Sequence, residues 1–198
     1  SMNENVGILI FKYKKIKNPR FYLYSEDQES LILVAEKQDD HDHEWIISTD
    51  SINLNRTNES YIGILQKAHK NQSKNIASSL VNTYVGLINN QEIIRVRKID
   101  NSLQNYSISF LYNPNKDQSF HAQPSDDNII ETLTQINQDS YFSQKYEFKY
   151  DGKICFSFKQ SAKDEYIIKY SDPIDFFKAF CSAISIVLIF TKQNKEEY

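Results

Sequence analysis

Apolar and polar side chains alternate with period two through most of the chain. Ile94 and Val96 alternate with Arg95 and Arg97, and Tyr106, Ile108, Phe110 and Tyr112 with Ser107 and Ser109. Tyr146, Phe148 and Tyr150 alternate with Lys145, Glu147 and Lys149, and Ile154, Phe156 and Phe158 with Lys153, Ser157 and Lys159. Successive residues of an extended strand point to opposite faces, so this spacing predicts half-buried strands. The segments "VGILIFKYK", "RFYLYS", "SLILVAEK", "EWIIST", "YIGILQ", "VGLIN" and "EYIIKY" add further strands. Short strands in close succession predict an antiparallel sandwich or barrel.

Two details can be read more closely. "YEFKYDGKICFSF" predicts a hairpin turning at Asp151 and Gly152. A three-residue loop from Tyr150 to Gly152 would pair Lys149 with Lys153, Phe148 with Ile154 and Tyr146 with Phe156, leaving every apolar residue on one face. "NPNKDQSFHAQPSDDN" (residues 113–128) is polar and aperiodic and reads as a long loop, and "NIIETLTQINQ" after it reads as a short helix.

One segment breaks the pattern. In "SDPIDFFKAFCSAISIVLIFTK" (residues 171–192), every residue from Ala179 to Phe190 is apolar except two serines. Asp172 suits a helix N-cap and Pro173 the first helical position, with Asp175 adding a carboxylate to the first turn. At helical spacing the sole polar stripe is Lys178, Ser182 and Ser185. A helix apolar nearly all round is buried or transmembrane, and a membrane span needs roughly 20 apolar residues. Lys178 leaves twelve uninterrupted residues, 179–190, so the segment is expected as a core helix. A sheet that closes around it provides the room.

Composition narrows the function classes. The chain is 40% hydrophobic and 13% aromatic, enough to build a core rather than a disordered chain. A net charge of -3 weighs against a nucleic-acid partner. Cys155 falls in a strand pattern and Cys181 in the apolar helix, so both read as packing residues of a reducing compartment. Four glycines form no phosphate-cradling loop, and no catalytic motif is visible; the chain is expected to be non-enzymatic and free of cofactors. No repeat or long linker divides it, which predicts one domain over residues 3–192 and a polar tail, 193–198.

"LILVAEKQDDHDHEWIISTDSINLNRTNESYIGIL" resembles the C-terminal domain of tubby-like proteins. The resemblance lies in Trp45 to Asp50, in Leu54 and Arg56, and in Ser60-Tyr61-Ile62-Gly63; "KYSDPIDFFKAFCSAISIVLIF" is similar to that family's closing helix. It covers about residues 20–65 and 150–190. It implies a closed antiparallel β-barrel of about twelve strands around a central hydrophobic helix, or fewer if strands are lost around residues 130–145. It also implies a phosphoinositide-binding, membrane-tethered adaptor, whose partners are phosphatidylinositol phosphates of the inner plasma membrane and a protein cargo. Its expected place is cytoplasmic and peripheral, at the plasma or ciliary membrane.

The family's basic hairpin is replaced here by "EKQDDHDHE", and Ile64 and Gln66 stand where it has basic residues. Candidate headgroup ligands are therefore Lys37 and Arg56, with Lys67, Arg95 and Arg97 as a second basic patch alongside Lys98, Lys70 and Lys74. Cations matter at such a site because phosphate affinity rests on charge-assisted hydrogen bonds. Lys145, Lys149, Lys153 and Lys159 form a further candidate face toward an anionic leaflet. His41 and His43 would share a strand face and offer two imidazoles to a divalent metal, but no further ligand stands at defined spacing, so a solvated hairpin tip is preferred. The acidic hairpin motivates an alternative, a protein-interaction barrel without lipid binding. A scramblase-like protein inserting its helix into lipid is a third.

Overall fold

A computed structural model of the chain describes residues 3–15, 17–39, 43–68, 82–99, 105–112, 129–136 and 145–196. The alternating segments form twelve strands: β1 (Asn5–Lys14), β2 (Lys17–Ser25), β3 (Leu31–Lys37), β4 (Glu44–Ser48), β5 (Tyr61–Lys67), β6 (Thr83–Ile88), β7 (Gln91–Lys98), β8 (Tyr106–Tyr112), β9 (Ile129–Gln135), β10 (Lys145–Tyr150), β11 (Lys153–Ala162) and β12 (Glu165–Tyr170). Each pairs antiparallel with the next, and β12 pairs with β1, closing an up-and-down barrel. Closure leaves no sheet edge to template pairing with another chain. The inward series is apolar: Leu9, Phe21, Leu33, Ile47, Leu65, Ile94, Ile108, Phe148, Phe158 and Ile168 are all at most 2% exposed.

The helix α1 (Phe176–Glu196) fills the bore. Every residue from Phe177 to Val187 is buried, three turns with no side left to solvent. At 1.5 Å per residue the helix is about 31 Å long. It starts where β12 ends and returns to solvent at Thr191, so it threads the barrel from end to end. It lies nearest β6, β7, β8 and β12. Gly86 on β6 marks the closest seat, where a Cβ would meet Cys181 Sγ at 2.9 Å and Phe177 Cε1 at 3.4 Å.

Two members of the helix's polar stripe are satisfied locally, while Ser182 Oγ is buried with no hydrogen-bond partner among the described residues. Lys178 donates to the Pro173 carbonyl at 3.2 Å and lies 5.1 Å from the Phe110 ring centre, which offsets part of the cost of burying its ammonium. Burial still lowers its pKa, opposed by Asp175 and Asp172. Ser185 Oγ donates to the Cys181 carbonyl at 2.6 Å. Among the described residues, no helix is long and apolar enough to cross a membrane.

Three expectations are corrected. The helix starts at Phe176, and its N-cap is Asp175, whose carboxylate accepts from the Lys178 N–H at 2.9 Å. Asp172 and Pro173 instead lie in a turn that the Ile174 N–H closes onto Ser171 O. "NIIETLTQINQ" contributes strand β9 and not a helix, because Leu133 fills the core opposite Ile108 while Ile130, Thr132 and Thr134 face out. The twelve strands that the resemblance implies are all present.

The β10–β11 hairpin has a two-residue turn, with Tyr150 opposite Lys153 and Phe148 opposite Phe156. Asp151 and Gly152 both take positive φ, 50° and 77°, as the primed turn that matches strand twist requires. The face parity this turn would spoil is restored by a bulge: Ile154 is 43% exposed, while Cys155 and Phe156 are both buried. Asn89 and Asn90, also at positive φ, make the same turn between β6 and β7, with a register shift two residues away.

Candidate anionic-ligand site

The outer face of β3–β5 carries the segment that resembles the tubby-like motif. Val34, Ile46 and Ile64 alternate with core residues, so they point outward, yet they are at most 6% exposed. The β4–β5 connection, residues 49–60, is tied back over this face. Arg20 holds Glu36 through Nε at 2.6 Å and donates from Nη1 to Ser51 O at 2.8 Å. Arg56 pairs with Glu44 at the far end of β4. Ser48 Oγ donates to Ser60 O at 3.1 Å, and the Thr49 N–H to the same carbonyl at 3.0 Å.

The Ser60-Tyr61-Ile62-Gly63 block therefore has a structural explanation. Ser60 anchors the strap. Gly63 lies so close to β6 that a Cβ would stand 2.2 Å from Leu87 O. Tyr61 lies beside the Arg56–Glu44 pair: burial raises its pKa, Arg56 opposes the shift and Glu44 adds to it.

The five cations nominated from sequence do not come together. Arg56 is half-exposed but engaged by Glu44, so Glu44 is an ion-pair partner and not a solvated acid of the hairpin tip. Arg95 is held by Glu92 through two bonds, 2.6 and 3.0 Å, which raise its pKa against the opposing effect of burial. Arg97 lies on the same outward series of β7, opposite Thr83 and Ser107, with no carboxylate contact among the described residues. Lys37 and Lys67 belong to the inward series, opposite Trp45 and Tyr84, and close that series at one rim of the barrel. Lys98, the last cation of the expected second patch, does not join an outer face: it ends the inward series of β7 opposite Tyr106 and is buried.

His43 is exposed in the β3–β4 turn at φ 62°, with its carbonyl accepting from the Lys67 N–H at 3.1 Å. Asp40, His41, Asp42, Lys70 and Lys74 lie outside the described residues. No cluster of three metal-ligating side chains occurs among the described residues. Cys155 and Cys181 are buried, and burial raises both thiols, Cys155 to about 11, so neither supplies thiolate near neutral pH.

The hairpin lysines make a cationic surface, as do Lys12, Lys14, Lys15 and Lys17 at the β1–β2 hairpin. Lys145, Lys149 and Lys159 share the outer face, and Lys145 stands directly opposite Lys159. Lys153 does not join them, because the two-residue turn sets it opposite Tyr150 at the rim. Lys169 on β12 takes its place, opposite Ser157. It was legible in the alternation of "EYIIKY" but needed the β11–β12 register to be placed. Only Lys145 has a carboxylate within reach among the described residues, Glu147 at 3.5 Å. No family model matches the chain, and no curated protein matches it.

Proposed function

We propose that the chain is a non-enzymatic, tubby-like adaptor that binds phosphoinositide-bearing membranes through the outside of its barrel. The observation that carries this reading is the filled bore. With α1 buried on every side from Phe177 to Val187, the barrel interior is a packed core, and recognition falls to the outer surface. There the exposed, weakly paired cations suit a polyanionic partner. The partner is a phosphatidylinositol phosphate of the inner plasma or ciliary membrane, and the tethered cargo is a protein.

Vesicle sedimentation tests the proposal. Neutral phosphatidylcholine vesicles, with and without phosphatidylinositol 4,5-bisphosphate, are compared at low and physiological salt. Recovery in the pellet with the phosphoinositide, weakening as salt rises, is expected. Equal recovery in the supernatant for both vesicle types would sink it.

The Arg56–Glu44 pair favours a second reading, a protein-interaction barrel without lipid binding, since the motif cation is neutralised within the chain. It expects charge-dependent capture of a basic protein, abolished by Asp39→Asn together with Asp40→Asn and Asp42→Asn, and no vesicle binding.

A further inference from the structure

We infer that the tip of the β1–β2 hairpin is the part of this barrel that enters an anionic membrane, with Tyr13 as its anchor and Lys12, Lys14, Lys15 and Lys17 around it. The inference rests on the reading that the barrel binds anionic membranes, and it assigns the segment and the mode.

These lysines differ from the others in standing clear of the barrel wall. β12 pairs with β1 only as far as Ile10, and β3 pairs with β2 only from Arg20. From Lys12 onward β1 and β2 pair with each other alone, Lys12 with Arg20 and Lys14 with Lys17. The ladder slips by one residue in between, where Asn18 and Pro19 stand against Tyr13, and such a bulge bends and twists a ribbon. The tip is thus a two-stranded arm projecting past the rim. The lysines of β10–β12 lie within the wall by contrast: Lys159 is paired on both sides, with Lys145 and with Ile167.

The arm also carries an aromatic ring into solvent. Tyr13 is 64% exposed, the one aromatic among the exposed large apolar side chains of the described residues. Lys12, Lys14, Lys15 and Lys17 are exposed around it, with no carboxylate contact among the described residues. Charge alone fits any polyanion. The ring selects a lipid interface, where a tyrosine settles at headgroup level and cations meet the leaflet at the same depth. Lysine is a point charge without the bidentate fork of arginine, so the arm responds to charge density rather than to the phosphates of one headgroup.

The other end of the molecule is of opposite sign. Connections alternate between the two rims of an up-and-down barrel. The connections opposite the arm hold Glu26, Asp27, Glu29, Asp50, Glu59 and Asp151, and their one described cation, Arg56, is engaged by Glu44. An anionic leaflet repels that end and attracts the arm, which orients the barrel arm-first. Asp39, on the next connection of the arm's own rim, opposes docking.

The test uses the full chain and phosphatidylcholine vesicles, alone and with phosphatidylserine or phosphatidylinositol 4,5-bisphosphate at matched charge, across an ionic-strength series. Wild type is expected to bind both anionic types comparably. Lys14→Gln and Lys15→Gln should each weaken binding about fivefold, the contribution of one lysine near an anionic leaflet, and less as salt rises. Lys149→Gln, an exposed lysine toward the opposite rim, should leave binding within about twofold, and Asp39→Asn should strengthen it. Lys17→Glu sets a carboxylate opposite Lys14. It should hold or raise the unfolding temperature while weakening binding, a combination that a folding defect does not produce. Tyr13→Trp should be quenched by anionic vesicles whose phosphatidylcholine is brominated along its acyl chains. Trp45, the sole tryptophan of the wild type, is buried in the core and gives the baseline.

Four results would overturn the assignment. Binding confined to phosphoinositide vesicles, or unchanged in the arm variants, moves docking to another surface and keeps the proposed function. Binding without quenching at position 13 removes the anchor. Wild-type indifference to every vesicle removes both readings. The same indifference with retention on polyglutamate, lost in Lys14→Gln and Lys15→Gln, hands the arm to an acidic protein.

Discussion

Gly86→Ala tests whether the helix is seated in the bore as described. Gly86 takes no positive φ, so an alanine there is not strained by its backbone. The cost is steric. The added Cβ would stand 2.8 Å from Ile94 Cγ2 and 2.9 Å from Cys181 Sγ, both inside contact distance, with Phe177 Cε1 at 3.4 Å. Overpacking of a filled core costs about 1–3 kcal/mol. Loss of glycine's freedom in the unfolded chain returns about 0.4–1 kcal/mol. The net expectation is destabilisation by roughly 1–2 kcal/mol, or a fall of about 2–8 °C in Tm for a chain of this size.

Thermal and urea unfolding followed by circular dichroism measure this directly. Cys181→Ala removes the Sγ that the new methyl would strike. The double variant should then be more stable than the sum of the single changes predicts, by about 0.5 kcal/mol or more. Gly152→Ala is the control. It has open space around its Cβ but φ of 77°, so it should cost about 1 kcal/mol through its backbone and show no coupling to Cys181. Wild-type stability in Gly86→Ala, or strict additivity with Cys181→Ala, would refute the seating of α1 against β6.

Gly63→Ala should destabilise more than Gly86→Ala, because its obstacle is the Leu87 carbonyl at 2.2 Å, a backbone atom that cannot rotate away; matched urea titrations of the two variants check the order. Stability should also fall in alkali. Burial pushes Tyr84 up to about 12 from an unfolded value of 10, so the folded state keeps its phenol protonated while the unfolded chain ionises. That stabilisation is fully present below pH 10 and is lost as pH rises to 12, about 2–3 kcal/mol in all. Tyr106, Tyr146 and Tyr170, raised mainly by burial, add in the same sense. Lys178 opposes them, since its lowered pKa makes stability rise with pH toward 10.5. Unfolding free energies from pH 8 to 11.5 should decline from near pH 10, less steeply in Tyr84→Phe; a flat profile contradicts the burial.

The sequence by itself determined the class of fold and the fate of its hydrophobic segment. Period-two alternation decides which side chains can share a face, and no register changes that for Ile94 and Val96 or for Tyr106, Ile108 and Phe110. The length of 179–190 and the interruption at Lys178 made that segment a core helix, because both are properties of the chain alone. Only the tertiary structure decided how the faces align between strands. Asp151 and Gly152 fit two turn geometries, and a bulge at Cys155 made the shorter one compatible with the core. That single residue moved Lys153 off the outer face and set Lys145 against Lys159. β9 showed the same limit, since "NIIETLTQINQ" is ambiguous in period until Leu133 has a core to enter opposite Ile108. Ion pairing was also beyond local reading. Glu44 and Arg56 are twelve residues apart, and their contact depends on a strap folded back along the sheet. Charge can be counted along a sequence, but which charges neutralise one another and which remain for a partner is a matter of distance.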